Sequence, residues 1–214
     1  MPIDVKICGI SESQHAITAA KFGARWLGFV FFPPSPRNLT IEAAKSLAPQ
    51  LPTGPRRVGV FVDASDELLA AAVKTLALDA VQLHGAETPQ DAARIKAMLD
   101  VRIIKAIGVS RDADIEKADA FTGIADRILF DAKPPEGAPL PGGNAIAFPW
   151  HILKGKTLPS KWMLAGGLSA ENLAEAVSLS GATALDVSSG VEEAAGKKSS
   201  ALIKAFLRAA KAVK

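Results

Sequence analysis

Eight short apolar runs, each followed by a stretch of helix length, constrain this chain more than any other feature. The runs are VKIC (5–8), WLGFVFF (26–32), RVGVFV (57–62), AVQLH (80–84), RIIKAI (102–107), RILFDA (127–132), WMLAGG (162–167) and ALDVSS (184–189). Amphipathic or alanine-rich stretches near 12–23, 41–48, 65–77, 88–99, 111–121, 145–154, 169–180 and 198–213 separate or follow them. Strands that alternate with helices pair in parallel, because a parallel neighbour needs a long return connection. Eight such units of about 27 residues suit a closed (β/α)8 barrel of the α/β class, near the lower end of its size range. A doubly wound open sheet is the competing arrangement, and the number of regular units favours the barrel. With 214 residues, one domain spanning 1–214 is the expectation.

Composition narrows the function classes. Hydrophobic residues are 49% and charged residues 22%, enough apolar mass for a large core and too much for disorder. No apolar run approaches the ~18–20 residues that cross a bilayer, and MPIDVKICGIS lacks the pattern of a secretory leader. The single cysteine, Cys8, can close no internal disulfide and complete no multi-cysteine zinc site. A reducing, cytoplasmic setting is expected. The net charge of +3 comes from the C-terminus: the six basic residues after Glu193 leave 19 basic and 22 acidic groups before them. Those six fall on what reads as a terminal helix, whose Leu202, Ile203, Phe206, Leu207 and Ala210 form one apolar stripe. With no tyrosine and 6% aromatics, neither a nucleic-acid surface nor a membrane-surface helix is expected.

Local signals mark the helix ends. Ser11-Glu12, Ser65-Asp66 and Ser169-Ala170-Glu171 open helical stretches with residues suited to capping free N–H groups, and Ser199 is placed to do the same for the last helix. Gly23, Gly123 and Gly181 stand where a left-handed C-terminal residue is useful. The segment KPPEGAPLPGG (133–143) denies both helix and strand, and reads either as plain surface or as a lid.

In a barrel of this kind the working face is the C-terminal end of the strands. Alternation sends Lys6 and Cys8 of strand one inward, together with Asp186 and Ser188 of strand eight. Gln82 and His84 share a face of strand four, and Asp131 closes strand six. Each has an ordinary explanation taken singly: a buried small thiol, a hydrogen-bonded histidine, a helix cap, or a Lys6–Asp186 ion pair that satisfies two charges. Their convergence on one rim points to an active site. LAGGL (164–168) and VSSGV (187–191), after strands seven and eight, are short glycine turns whose backbone N–H groups suit a phosphate.

These residues also carry a resemblance. KICGI (6–10), SPR (35–37), VQLHG (81–85), LFDAK (129–133), GGNAIAFPW (142–150), LAGGLSAENL (164–173) and LDVSSGVE (185–192) resemble, in order, the signature blocks of the phosphoribosylanthranilate isomerases. That family has the (β/α)8 fold. It carries out the Amadori rearrangement of N-(5′-phosphoribosyl)anthranilate to a 1-deoxyribulose 5-phosphate in tryptophan biosynthesis. The resemblance implies that Cys8 is the general base and Asp131 the general acid. It further implies that Arg37 holds the anthranilate portion, and that His84, Gly143, Gly166, Gly167, Asp186, Ser188, Ser189 and Gly190 contribute to substrate binding. Lys6 is the expected source of positive charge that lowers the Cys8 pKa toward neutrality. No metal or other cofactor is implied, because the substrate nitrogen is its own electron sink. The expected partner is a small phosphosugar, and the assembly is left as monomer or homodimer.

Two places depart from the family pattern. Ala145 and Pro149 replace a glycine and an aspartate after strand six, and Gly196-Lys197-Lys198-Ser199 stands where the family has GxKD. A metal-dependent epimerase is a weaker reading, since only three histidines are available, and a silent phosphometabolite binder is opposed by intact Cys8 and Asp131.

Overall fold

The computed structural model of the protein describes residues 3–133 and 147–213. Its strands are β1 (Asp4–Cys8), β2 (Trp26–Phe31), β3 (Arg56–Phe61), β4 (Ala80–Leu83), β5 (Arg102–Val109), β6 (Arg127–Ala132), β7 (Trp162–Leu164) and β8 (Ala184–Val187). They form a closed barrel in sequence order, every neighbour parallel, with β8 returning to pair with β1. All eight expected strands are present. A two-stranded hairpin, β9 (Glu192–Ala194) and β10 (Lys197–Lys198), is added after β8.

The outward strand faces meet a ring of helices: α1 (Ser13–Lys21), α2 (Ile41–Leu47), α3 (Asp66–Leu76), α4 (Pro89–Leu99), α5 (Asp112–Ile115), α6 (Leu173–Ser180) and α7 (Ser200–Ala212). This layer holds most of the apolar core, including Ile7, Phe29, Phe61, Leu83, Phe130, Leu185 and Phe206, each almost wholly buried. The stripe expected on α7 packs here, with Ile203, Phe206, Leu207 and Ala210 buried. Among the described residues no helix is long and apolar enough to cross a membrane.

Three helical expectations are corrected. The stretch 111–121 is one turn of α-helix followed by a 3-10 helix, Glu116–Phe121. Its buried apolar residues Ile115, Ala118 and Phe121 recur every third position, a spacing that fits three residues per turn better than 3.6. The described part of 145–154 contains only a 3-10 turn, Trp150–Leu153, entered directly from Pro149. Pro149 has no N–H to extend a helix backward, so the turn starts after it. The helix expected from 169 begins instead at Leu173, because the Asn172 side chain accepts from the Ser169 N–H and donates to the Gly167 carbonyl, holding the preceding turn.

The caps divide in the same way. Ser65 accepts from the Leu68 N–H as expected, and Gly23, Gly123 and Gly181 all take positive φ. Glu12 occupies the α1 N-cap without a side-chain cap bond, since its carboxylate accepts from Gln14, and Ser199 makes no cap bond either. Gly143, Ala145 and nearly all of the lid candidate lie outside the described residues.

Inside the barrel, the N-terminal half is filled by Trp26, Val58, Ala80, Ile104, Leu129, Met163 and Ala184. Above this apolar plug the interior turns polar. Gly28 makes that possible: a Cβ there would lie 2.9 Å from Cys8 Sγ and 3.1 Å from Lys6 Cε. We expect Gly28→Ala to overpack the interior and lower stability by about 1–3 kcal/mol in urea unfolding. A change under ~0.5 kcal/mol would show that the two side chains can give way.

Candidate active site

Parallel register sets the first polar pair. β1 and β8 align Lys6 with Asp186, so both side chains enter the interior side by side. Lys6 Nζ donates to Oδ1 and Oδ2 of Asp186, each at 3.0 Å, with the lysine side chain fully buried. Burial favours the neutral amine, but the Asp186 carboxylate, with a smaller contribution from Cys8, outweighs burial and raises the Lys6 pKa.

A second pair forms across the mouth. Gln82 and His84 point inward from the end of β4, and the Gln82 amide meets His84 Nδ1 at 2.9 Å. As drawn, the amide N–H donates, which leaves the other ring nitrogen to carry hydrogen. That nitrogen, Nε2, lies 3.3 Å from Asp131 Oδ2, while the Ala132 N–H donates to Oδ1 at 2.8 Å. The two groups sit on strands separated by β5, which presents only Ala106 and Gly108 inward at this height and so leaves them room to meet. Asp131 also abuts the loop after β7: a Cβ on Gly166 would fall 3.1 Å from its Oδ1 and closer still to Ala132.

The glycine loops converge. Gly166 and Gly167 have φ of 87° and 64°, a region that glycine enters without a Cβ clash. Gly190, after β8, packs so tightly on the Leu168 carbonyl that no side chain fits between the loops. Among the described residues the amides of Gly167, Ser189 and Gly190 donate to no acceptor, leaving unpaired N–H groups on the two loops that meet here.

On the other side of the mouth lies Cys8. Its carbonyl accepts from the Ser188 hydroxyl at 3.2 Å. Next to it, Glu192 of β9 ties three elements together. It receives Arg37 Nε at 2.8 Å and Nη2 at 2.7 Å in a two-pronged ion pair, and Lys198 Nζ of β10 at 2.6 Å. Lys198 also donates to the Ser188 carbonyl at 2.9 Å and contacts its hydroxyl at 3.2 Å. Gly9, at φ 81°, makes space for both cations, since a Cβ would sit 3.0 Å from Arg37 Cδ and 3.2 Å from Lys198 Nζ. Burial pushes the Glu192 carboxyl up, yet Arg37 and Lys198 hold it below its ordinary value. Among the described residues no three His, Cys, Asp or Glu side chains gather to hold a metal ion.

A thiol, a carboxylate–imidazole pair, an arginine and a bed of free amides therefore share the C-terminal mouth of one barrel. Residues 5–209 match the family model described as N-(5′-phosphoribosyl)anthranilate (PRA) isomerase. The N-(5′-phosphoribosyl)anthranilate isomerase of Paramagnetospirillum magneticum is 49% identical over 211 residues, covering 99% of this chain and 98% of the relative. The chain belongs to this isomerase family. The crystal structure of the Thermotoga maritima phosphoribosylanthranilate isomerase superposes with a TM-score of 0.86 at 38% identity, covering 98% of each chain. A second isomerase structure, in complex with reduced 1-(o-carboxyphenylamino)-1-deoxyribulose 5-phosphate, gives 0.83 at 34% identity with the same coverage. The chain is accordingly an isomerase of tryptophan biosynthesis, and its reaction is the Amadori rearrangement of N-(5′-phosphoribosyl)anthranilate.

Several residues expected at the site of this isomerase sit at the mouth in other employment. Asp186 gives both oxygens to Lys6, and Ser188 spends its hydroxyl on the Cys8 carbonyl while receiving Lys198. The expected lowering of the Cys8 pKa is not found. Burial raises the thiol above its ordinary value, and although Lys6 and Lys198 pull it down, Asp186 opposes them. Glu192 and Lys198 carry much of the local geometry and were not singled out as site residues; their one signal was their place at the end of LDVSSGVE and in the altered GxKD block.

Removing one member of the Lys6–Asp186 pair strands a buried charge. Lys6→Met should lose about 3–5 kcal/mol in denaturant unfolding, and Lys6→Met with Asp186→Leu should recover most of it. A single variant as stable as wild type would mean the pair contributes nothing to folding.

Proposed function

We propose that Cys8 and Asp131 carry the proton transfers of the isomerisation, facing each other across the phosphate loops. The supporting observation is the mouth itself: the chain's one thiol stands on the β1 side and a carboxylate, aligned by His84, on the β6 side. Asp186 links the two electrostatically, since its ionisation responds to Asp131 and His84, and Cys8 responds to Asp186.

The chemistry follows from those positions. Asp131 gives its proton to the furanose ring oxygen as the C1′–O bond breaks, and the substrate nitrogen supplies the electron pair for a C1′=N bond. The positive nitrogen acidifies the C2′ hydrogen, and the Cys8 thiolate removes it to leave an enolamine. Protonation at C1′ and loss of the hydroxyl proton at C2′ give the ketone, so no electrons leave the substrate and no redox cofactor is called for. His84, donating to Asp131 from Nε2, orients the carboxyl through each exchange.

Binding divides between the two rims. The amides of Gly167, Ser189 and Gly190, with Gly166 and Ser188 shaping the loops, hold the phosphate. Arg37, presented by Glu192, receives the anthranilate carboxylate; the ligand named in the related complex carries both a carboxyphenyl group and a 5-phosphate. Gly143 lies outside the described residues, and Asp186 acts through Lys6 rather than by touching substrate. We assign the chain a single catalytic domain, a cytoplasmic setting, and a monomeric or homodimeric form. One of the related structures is of monomers generated from the dimeric isomerase of Thermotoga maritima.

Fluorescence of the anthranilate group reports the turnover. Cys8→Ala and Asp131→Asn should each lose at least about a thousandfold in kcat, within the range that general acid–base groups contribute, with KM within a few-fold of wild type. Near-normal kcat in either would remove that residue from proton transfer. Arg37→Met should instead raise KM tenfold or more with a smaller change in kcat, as loss of a charge-assisted bond in binding requires. An unchanged KM would detach Arg37 from the substrate.

A further inference from the structure

We propose that Lys198, on the hairpin that follows β8, is a positioning residue that, beside Lys6, helps make Cys8 ionisable. The inference rests on Cys8 being the base of the reaction, and it goes beyond the family's acid, base and arginine.

Two buried cations approach the thiol, and they are differently neutralised. Lys6 is bound by both oxygens of Asp186, one carboxylate to one ammonium, so at Cys8 its field is opposed by a partner at the same depth. Lys198 leans on Glu192, but that carboxylate is held in two prongs by Arg37 as well. One negative charge divided between two cations cancels less of the field of either. The Lys198 ammonium is fixed against the Ser188 carbonyl and hydroxyl, and that hydroxyl is bonded to the Cys8 carbonyl. Lys198 is therefore pinned to the backbone that carries the thiol.

The charged groups facing Cys8 are Lys6 from β1, Asp186 from β8, Lys198 from β10 and Arg37 from the β2–α2 loop. His84 and Asp131, from β4 and β6, act on it through Asp186. Burial raises the thiol; Lys6 favours the thiolate most strongly, by its charge and by a hydrogen bond, Asp186 opposes it, and Lys198 adds a further pull toward the thiolate. The side chain of Lys198 is fully buried beside this group although its solvation would be better almost anywhere else, and burial lowers its own pKa. Such an expensive placement two residues past a surface turn fits a role at the thiol better than a role in the hairpin.

Because Cys8 is the sole cysteine, its thiolate absorbance near 240 nm titrates one group directly, with substrate absent. Lys198→Met should move the midpoint upward by about one pH unit, which is about tenfold less thiolate at a given lower pH. The rising limb of kcat/KM should move with it, while KM stays within a few-fold. Lys198→Arg, which keeps the charge, should restore the wild-type midpoint. Glu192→Gln removes the shared counter-charge and should move the midpoint the other way, a reversal that a purely structural role does not produce; it stands in for Lys198→Met should that variant fail to fold. Superimposable titrations of wild type, Lys198→Met and Glu192→Gln would overturn the proposal. The assignment of the base is judged separately: an active Cys8→Ala removes Cys8 from catalysis whatever the titrations show, and an inactive one with unmoved titrations removes only Lys198.

Discussion

The buried ion pair between Lys6 and Asp186 is the constraint on which the rest of the mouth depends. Closing eight strands into a barrel brings the last beside the first, and only then do residues 180 positions apart become neighbours on one face. Neither charge could be buried alone, so each fixes the other, and together they turn a barrel interior of branched hydrocarbons into a polar floor. Gly28 concedes the volume for that floor, and Trp26 and Met163 seal it from below. Cys8 sits one pleat above the lysine, which is why its ionisation is governed by the floor as much as by solvent.

Above the floor, work is divided by side. On β4 and β6 a neutral amide, an imidazole and a carboxylate form a chain of donors and acceptors, a suitable arrangement for handing one proton back and forth. On the β2–α2 loop and the added hairpin, two cations share one carboxylate, a suitable arrangement for attracting an anion and for stabilising a thiolate. The glycine loops join the sides at their far edge, with Gly190 locked onto Leu168 and Gly166 pressed against Asp131. Asp131 and the two glycine loops are thus held together by the same few contacts.

Much of this was legible before any coordinates. The alternation of eight apolar runs with helical stretches sufficed for the barrel, because period and spacing are local properties and parallel strands leave few other topologies. Strand parity placed Lys6, Cys8, Gln82, His84 and Asp186 inside, and the structure agrees for each. Helix starts were less legible: Ser169 resembles a cap, but Asn172 wins the competition by bonding to both sides of the turn. The stretch 111–121 read as α-helix because propensity does not reveal a burial pattern of period three.

Chain order and residue chemistry, then, were enough for the class of fold and for placing Cys8 and Asp131 at the C-terminal mouth of the barrel. The partnerships were not. That Glu192 would grip Arg37 from 155 residues away, that Lys198 would be buried beside Cys8, and that the thiol would be raised rather than lowered all follow from which side chains share a desolvated space. Such electrostatics depend on distance and burial in three dimensions, and separation along a chain carries no record of either.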